Sequence, residues 1–233
     1  KKFSNCTGVI DVIYNPRRTA LLIEAEKLGV PFADGLPMLV HQAKRAEELF
    51  FGKAIHDSET ERVIREMRAE MGNVVIVGMP GSGKTTVAEQ IALRAGRRLV
   101  DIDEEIIKAA GKPIPDIFSE QGEAAFRELE REETKNAGKL TGVVISTGGG
   151  VVKDFRNFAP LHQNGRIFWL RRDLEALETL GRPLSKDSDT LKTLQTEREP
   201  LYRNFADTEV WNNKTPEAAA QIIWEDYCEN IGN

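Results

Sequence analysis

Apolar positions follow two alternating rhythms along the chain. Val9-Ile10-Asp11-Val12-Ile13-Tyr14 is a β-branched run of strand length closed by Asn15-Pro16. Leu21, Leu22, Ala25 and Leu28 then recur at helical spacing up to Gly29. A short Val30-Pro31-Phe32 piece and Asp34-Gly35 lead into a second amphipathic helix, with Leu39, Ala43, Ala46, Leu49 and Phe50 on its apolar face and Gly52 at its end. Ser58-Glu59-Thr60-Glu61 reads as a capping box. Val63, Ile64, Met67 and Met71 draw one apolar stripe through the charged helix behind it, which Gly72 stops. From Asn73 the alternation becomes regular. Asn73-Val74-Val75-Ile76-Val77 predicts a buried strand, and Val87, Ala88, Ile91, Ala92 and Ala95 predict a helix ending at Gly96. Arg98 to Asp103 predicts a short strand with Asp101 and Asp103 near its C-terminal end. Glu104, Ile106, Ile107 and Ala110 continue as a helix broken at Gly111-Lys112-Pro113. A charged helix surrounds Phe126-Arg127-Glu128-Leu129-Glu130. Further strands are predicted at Val143–Ser146, Ile167–Leu170 and Val210-Trp211, and Thr215-Pro216-Glu217 opens the last helix.

Near-continuous apolar strands alternating with helices predict the α/β class, with a parallel sheet covered by helices on both faces. The break in rhythm at 53–72 divides the chain into a partial α/β segment at 1–52, a linker helix at 53–72 and a second domain at 73–233. The first segment opens almost directly into a strand that needs sheet neighbours, and it reads as the tail of a larger domain. Composition narrows the class of function. With 40% hydrophobic and 30% charged residues, the 233-residue chain is that of a soluble globular protein, and its net charge of -5 speaks against a nucleic-acid binder. No apolar run reaches membrane-spanning length, and the first residues lack the apolar segment of a signal peptide. Cys6 and Cys228 stand too far apart in sequence for a disulfide framework, which predicts a reducing, cytoplasmic setting. His41, His56 and His162 show no metal-ligand spacing.

Candidate chemistry starts at Gly78-Met79-Pro80-Gly81-Ser82-Gly83-Lys84-Thr85-Thr86. Gly78-x-x-x-x-Gly83-Lys84-Thr85 fits the phosphate-binding loop template, in the strand–loop–helix context that the template requires. Its glycines free backbone N–H groups to wrap a phosphate, and the following helix points its positive end at the same anion. Lys84 supplies a charge to the β/γ-phosphates, and the Thr85 hydroxyl suits Mg²⁺. Asp101 and Asp103, two apart on one strand, would project to the same face, where one carboxylate suits metal-bound water and the other an acceptor hydroxyl. The same pair reads equally well as helix caps. Arg127, four residues after Glu123, reads first as a surface ion pair. Gly148-Gly149-Gly150 permits close approach to a ligand or simply makes a turn.

Taken together, Gly78-x-x-x-x-Gly83-Lys84-Thr85, Asp101-x-Asp103, Phe126-Arg127, Gly148-Gly149-Gly150, Arg182-Pro183-Leu184 and Arg198-x-Pro200-Leu201-Tyr202 resemble the shikimate kinases over roughly residues 73–230. That resemblance implies a P-loop kinase domain and ATP-dependent, Mg²⁺-assisted phosphorylation of the shikimate 3-hydroxyl. It implies Asp103 as the group that binds and orients the acceptor, and Arg127 and Arg198 as carboxylate ligands. Gly148, Gly149 and Gly150 would supply backbone contacts, and Asp101 and Ser146 would reach the metal through water. Arg182 would lie in a lid that closes on the phosphates, and Lys214 would contact the base. The helix before the lid, Leu174 to Leu180, lacks the arginine that many members place near adenine.

A second resemblance covers the first fifth of the chain. Asp11-Val12-Ile13-Tyr14-Asn15-Pro16, Thr19, Leu22 and Asp34-Gly35-Leu36-Pro37-Met38-Leu39-Val40-His41-Gln42-Ala43 look like the C-terminal end of shikimate dehydrogenase. This implies a Rossmann-type remnant, with Gln42 at a shikimate-contact position, and a fused dehydrogenase–kinase ancestry. No dinucleotide fingerprint or substrate domain accompanies it, so no dehydrogenase activity is expected; association through this segment is left open. The alternatives are a gluconate-type or other small-metabolite P-loop kinase, and a nucleotide-binding regulatory module without turnover.

Overall fold

The computed structural model describes residues 5–173, 175, 177 and 188–231, with 188–190 given by their backbone alone. Its centre is a five-stranded parallel sheet in the order β4-β5-β3-β6-β7. The strands are β3 (Asn73–Val77), β4 (Leu99–Asp101), β5 (Val144–Ser146), β6 (Gly165–Arg171) and β7 (Thr208–Trp211). β3 lies in the middle, with Val75 paired to Ile145 on one side and to Ile167 on the other. A strand neighboured on both edges and covered on both faces has no wet side, and this explains why Val74 to Val77 are all apolar and fully buried.

Alternate side chains feed two cores. Val75, Val77, Ile145, Ile167 and Trp169 pack with Ile102 and Ile106 of α5 (Ile102–Ala110), Ile117 and Phe126 of α6 (Ile114–Gly138), and Tyr202 and Phe205 of α8 (Ser188–Phe205). Val74, Ile76, Val144, Phe168 and Leu170 face Val87 and Ile91 of α4 (Lys84–Ala95) and Ile223 and Tyr227 of α9 (Pro216–Asn230). The expected parallel sheet covered on both faces is what the chain builds. Several elements begin and end where the sequence places them. Gly96 and Gly111 close α4 and α5 in left-handed conformation, and the Thr215 hydroxyl accepts from Ala218 N at the start of α9.

The segment before the sheet carries β1 (Val9–Ile10), α1 (Ala20–Lys27), β2 (Phe32–Ala33), α2 (Leu36–Phe51) and α3 (Asp57–Met71). Here the sequence reading needs correction. The run from Val9 to Tyr14 yields a strand of only two residues, paired in parallel with β2, because β2 is its one strand neighbour among the described residues. In α1 the buried residues are Leu22, Ile23 and Ala25, while Leu21 and Leu28 point outward. In α2 Leu36 and Val40 are buried, whereas Leu49 and Phe50, expected on the core face, are 70% and 87% exposed, as is Phe51 beside them at 72%. The stripe exists, but no part of the described chain covers it. Nor does Ser58 cap α3: the helix already begins at Asp57 with His56 as its cap, and the His56 ring nitrogen accepts from Ser58 N.

α3 is bolted to the sheet domain at its C-terminus. Arg97 donates to Gly72 O at 2.8 Å, and the Tyr227 hydroxyl donates to Ala69 O and Gly72 O at 2.8 and 2.7 Å. A Cβ on Gly72 would come within 2.6 Å of that hydroxyl, so the close contact itself demands glycine. The N-terminal α/β piece docks at the same end of the sheet, where the strands begin. Arg17 N donates to Asn164 Oδ1 at 2.9 Å, Arg18 N donates to Gln163 O at 2.8 Å, and Arg17 also donates to Ile231 O. Asp34 pairs with Arg68 at 3.1 Å, and His162 shares a 2.7 Å hydrogen bond with Glu26.

Candidate active site

At the opposite end, where the parallel strands finish, the chemistry-bearing residues gather. β3 runs into the phosphate loop. Gly78 has φ +155° and its missing Cβ would meet Leu170 O at 2.4 Å, while Gly81 and Gly83 turn the chain at φ +83° and +90°. Lys84 opens α4, is nearly buried, and donates from Nζ to Gly78 O and Met79 O at 2.9 Å each. The ammonium is thus folded back over the cradle formed by the Gly78–Gly83 backbone. Thr86 is exposed on the first turn.

Thr85, one residue further, meets the ends of β4 and β5. Its hydroxyl donates to Asp101 Oδ2 at 2.9 Å and lies 3.3 Å from Ser146 Oγ. The three side chains form an oxygen-only group, Ser146 and Asp101 buried and Thr85 half-buried. Hard divalent cations prefer such donors. The expectation that Asp101 and Asp103 share a strand does not hold. β4 ends at Asp101, whose Oδ1 accepts from Asp103 N and Glu104 N at 3.0 and 3.4 Å, and α5 starts at Ile102. Asp101 is therefore a helix cap as well as the Thr85 partner, and Asp103 stands in the first turn of α5. The cap reading and the site reading of Asp101 are both satisfied, one by each carboxylate oxygen.

The tri-glycine bend after β5 draws the remaining residues together. A Cβ on Gly148 would lie 2.8 Å from Asp103 Oδ1, one on Gly149 2.7 Å from Pro80 Cδ, and one on Gly150 2.5 Å from Arg127 Nη1. The bend is threaded between the acidic residue, the phosphate loop and the arginine, so closely that a side chain at any of the three positions would have to displace one of them. Arg198 and Tyr202 of α8, both buried, donate to Gly149 O at 2.9 and 2.6 Å. Arg127 keeps the ion pair with Glu123 expected from the sequence, at 3.1 Å, and adds Glu130 at 2.7 Å.

Glu130 went unnoticed in the sequence because a glutamate in a charged helix carries no distinguishing spacing. Its side chain is 1% exposed. Burial raises its pKa and the Arg127 charge and hydrogen bond oppose that, leaving it above the ordinary carboxylate value; Asp103 pushes it further up and Arg198 pulls it down. For Arg127 burial works against the charge, but Glu130 and Glu123 outweigh it and hold its pKa above the usual value. Asp103, Arg127, Glu130 and Arg198 are thus in one electrostatic neighbourhood. Asn212, also missed, donates from Nδ2 to Ser82 O at 2.9 Å and sets the turn after β7 on the phosphate loop. Lys214 is exposed two residues further along that turn. Arg182 lies outside the described residues, as does most of the Leu174 to Leu180 stretch.

The family model described as shikimate kinase matches residues 80–227. A shikimate kinase of Caldicellulosiruptor bescii is 41% identical over 162 residues, covering 66% of this chain and 94% of the relative. One from Rippkaea orientalis is 39% identical over 162 residues, 66% of this chain and 86% of the relative. Among solved structures, shikimate kinase from Acinetobacter baumannii in complex with shikimate superimposes with a TM-score of 0.67 at 31% identity, over 71% of this chain and 98% of that one. The Aquifex aeolicus shikimate kinase gives 0.60 at 33% identity, over 68% and 97%.

Proposed function

Because the chain belongs to the shikimate kinase family, we propose that it transfers the γ-phosphoryl group of ATP to the 3-hydroxyl of shikimate, yielding shikimate 3-phosphate and ADP. The observation that carries this reading is the bend at Gly148–Gly150, which abuts Asp103, the phosphate-loop residue Pro80 and Arg127 at three successive positions. An acceptor seated against that bend has a nucleotide cradle on one side and a carboxylate with two arginines on the other. In-line phosphoryl transfer asks for that juxtaposition and little covalent work from the protein.

The residues take the following parts. Asp103 accepts a hydrogen bond from the acceptor hydroxyl, aims its oxygen at the γ-phosphorus and takes up its proton as transfer proceeds. Arg127 and Arg198 hold the shikimate carboxylate, with the planar guanidinium matched to two oxygens. Backbone N–H groups at Gly148, Gly149 and Gly150 complete the acceptor pocket. Gly78, Pro80, Gly81, Ser82, Gly83, Lys84, Thr85 and Thr86 enclose the phosphates, and Lys84 turns its charge from the loop carbonyls to the β/γ-oxygens. Lys214 borders the base. Arg182, which the family resemblance places in a lid, adds positive charge to the transferring group. Mg²⁺ suits the oxygen-only set: Thr85, with Asp101 and Ser146 beside it, would hold the ion, which would supply positive charge to offset that of the phosphates.

Residues 73–233 form the kinase domain in this proposal and 53–72 its linker helix. Residues 1–52 are, in this proposal, a segment akin to the C-terminal end of shikimate dehydrogenase, joined to the kinase because both enzymes act on the same metabolite, and that piece is a surface for association. Reduction of NADP⁺ by the purified chain with shikimate would overturn the assignment of 1–52 as inactive. Among the described residues no helix is long and apolar enough to cross a membrane, and a cytoplasmic location is part of the proposal. The reaction itself is tested by coupled ADP release with shikimate, gluconate and UMP as acceptors. Turnover with shikimate alone is expected. Preference for gluconate or UMP, or none with any of the three, would sink the reading.

A further inference from the structure

Asn212 is 5% exposed, and its contacts run in two directions. Its backbone N–H donates to Arg171 O at 2.8 Å, tying the turn after β7 to the end of β6. Its side chain crosses to the phosphate loop, with Nδ2 on Ser82 O at 2.9 Å. The next side chain braces the same turn, Asn213 Oδ1 accepting from Asp173 N at 3.1 Å.

The gripped peptide, Ser82–Gly83, is bounded on its C-terminal side by Gly83 at φ +90°, and glycine tolerates either sign of φ at small cost, so no side chain at Gly83 fixes the plane. In a trans peptide the N–H points opposite to the C=O. Holding Ser82 O toward Asn212 therefore turns Gly83 N–H away from Asn212. The grip is tight: a Cβ on Gly83 would stand 2.7 Å from Asn212 Nδ2, so Gly83 is required both by its φ and by the amide packed against it.

We propose that Asn212 is a positioning residue for the terminal phosphates of the nucleotide. Through the Ser82 carbonyl it fixes the peptide whose Gly83 N–H faces the β-phosphate, without itself touching the ligand. The turn that borders the base thereby also sets the anion cradle. The inference deepens the ATP-site reading above and rests on it.

Isothermal titration of the full chain with ADP and with AMP, which lacks the β-phosphate, tests it. Wild-type protein that fails to bind ADP would refute the ATP-site reading itself, before any variant is compared. With that binding in place, Asn212→Ala is expected to weaken ADP about tenfold while AMP stays within about twofold, since one charge-assisted hydrogen bond to phosphate becomes misdirected. The KM for ATP rises in parallel and the KM for shikimate does not. Asn212→Asp keeps the size but sets an acceptor against Ser82 O, and ADP is expected to weaken further. Equal weakening of ADP and AMP would place Asn212 on the base side and overturn the proposal, as would an unchanged ADP affinity. Should Asn212→Ala lose its cooperative thermal transition, the isosteric Asn212→Asp carries the test by the same readings.

Discussion

Two stretches of this chain carry almost the same strand signal and meet opposite fates. Val9 to Tyr14 and Asn73 to Val77 are both rich in β-branched residues and both end at a turn. The second becomes a five-residue strand with Ile76 fully buried, paired on both edges. The first becomes a two-residue strand with one neighbour among the described residues and Ile10 81% exposed. β-propensity measures fit to a pleated, covered surface. Where helices and strands supply that surface the run extends, and where they do not it stops after two pairings. The same contrast separates the ends of the molecule. At the docking end polar groups answer one another, Arg17 with Asn164 and Ile231, Asp34 with Arg68, Glu26 with His162. At the catalytic end buried carboxylates, arginines and glycine peptides converge on one bend, an arrangement suited to a ligand more than to stability.

The comparison breaks most visibly at Asp103 and Gln42. Asp103→Asn is expected to lower kcat by about 10²–10⁴-fold, the range for loss of a proton acceptor, with ADP affinity in titration little changed. Gln42→Ala, on the exposed face of α2, is expected to leave phosphorylation of shikimate as it was. Loss of ATP binding with turnover kept in Asp103→Asn would show that its role was misassigned. Loss of turnover in Gln42→Ala would make the docking end part of the kinase site.

Stability should divide the same two regions. Ile76→Ala opens a cavity in the most enclosed strand and is expected to cost about 2–5 kcal/mol in urea unfolding. Ile10→Ala removes a side chain already in water and is expected to stay within about 0.5 kcal/mol. A cost at Ile10 comparable to that at Ile76 would mean that β1 is covered in solution, and the contrast between the two sheets would fail.

Much of the catalytic end was legible because its demands fall on residue identity. Gly78, Gly83, Lys84 and Thr85 are dictated by backbone approach and charge, and the structure gives each glycine a neighbour that excludes a Cβ or a turn that needs positive φ. Asp103 was legible as a residue but not in its place: the predicted strand ran on to it, whereas β4 ends at Asp101, which caps the helix that carries Asp103. Glu130 and Asn212 were not legible as site residues, and Tyr202 only as the end of the Arg198-x-Pro200-Leu201-Tyr202 motif, without its role. Each acts by gripping a backbone or a partner far away in sequence, Tyr202 on Gly149 and Asn212 on Ser82, and such separations leave no periodic trace. The exposed face of α2 misled for a related reason: amphipathic spacing says that a helix has an apolar side, not that the described chain covers it.

Two arginines sharpen the division between binding and scaffolding. Arg127→Ala is expected to raise the KM for shikimate about 10- to 150-fold, from about 1.5–3 kcal/mol of charge-assisted contact. Arg17→Ala is expected to leave that KM alone and to lower the free energy of unfolding by about 1–3 kcal/mol, because Asp34 and the Ile231 carbonyl lose a partner. Burial, with Arg18 and Arg68 nearby, lowers the Arg17 pKa to about 10, so the side chain stays charged throughout the neutral range and its loss is a loss of charge. An unchanged KM in Arg127→Ala would return that residue to a plain ion pair with Glu123.

The smallest effect is a matter of sign. Glu130 at the catalytic end has its pKa raised in the fold, chiefly by burial, against the opposing Arg127. The folded protein therefore binds this proton at a higher pH than the unfolded chain, and the Glu130 contribution to stability falls as pH rises from the unfolded pKa through the folded one. Glu26 at the docking end goes the other way. Burial would raise its pKa, but the His162 hydrogen bond and the charges of His162, Arg18 and Arg17 outweigh that and lower it. Its stabilisation is complete above the unfolded pKa and is lost as pH falls through the folded one. Unfolding free energies at about pH 4 and about pH 7 separate the two. Relative to wild type, Glu130→Gln is expected to widen the gain in stability between those pH values, and Glu26→Gln to narrow it. Shifts of the same sign in both variants would mean that the two carboxylates sit in like environments, and the distinction between an end arranged for a ligand and an end arranged for itself would lose its electrostatic support.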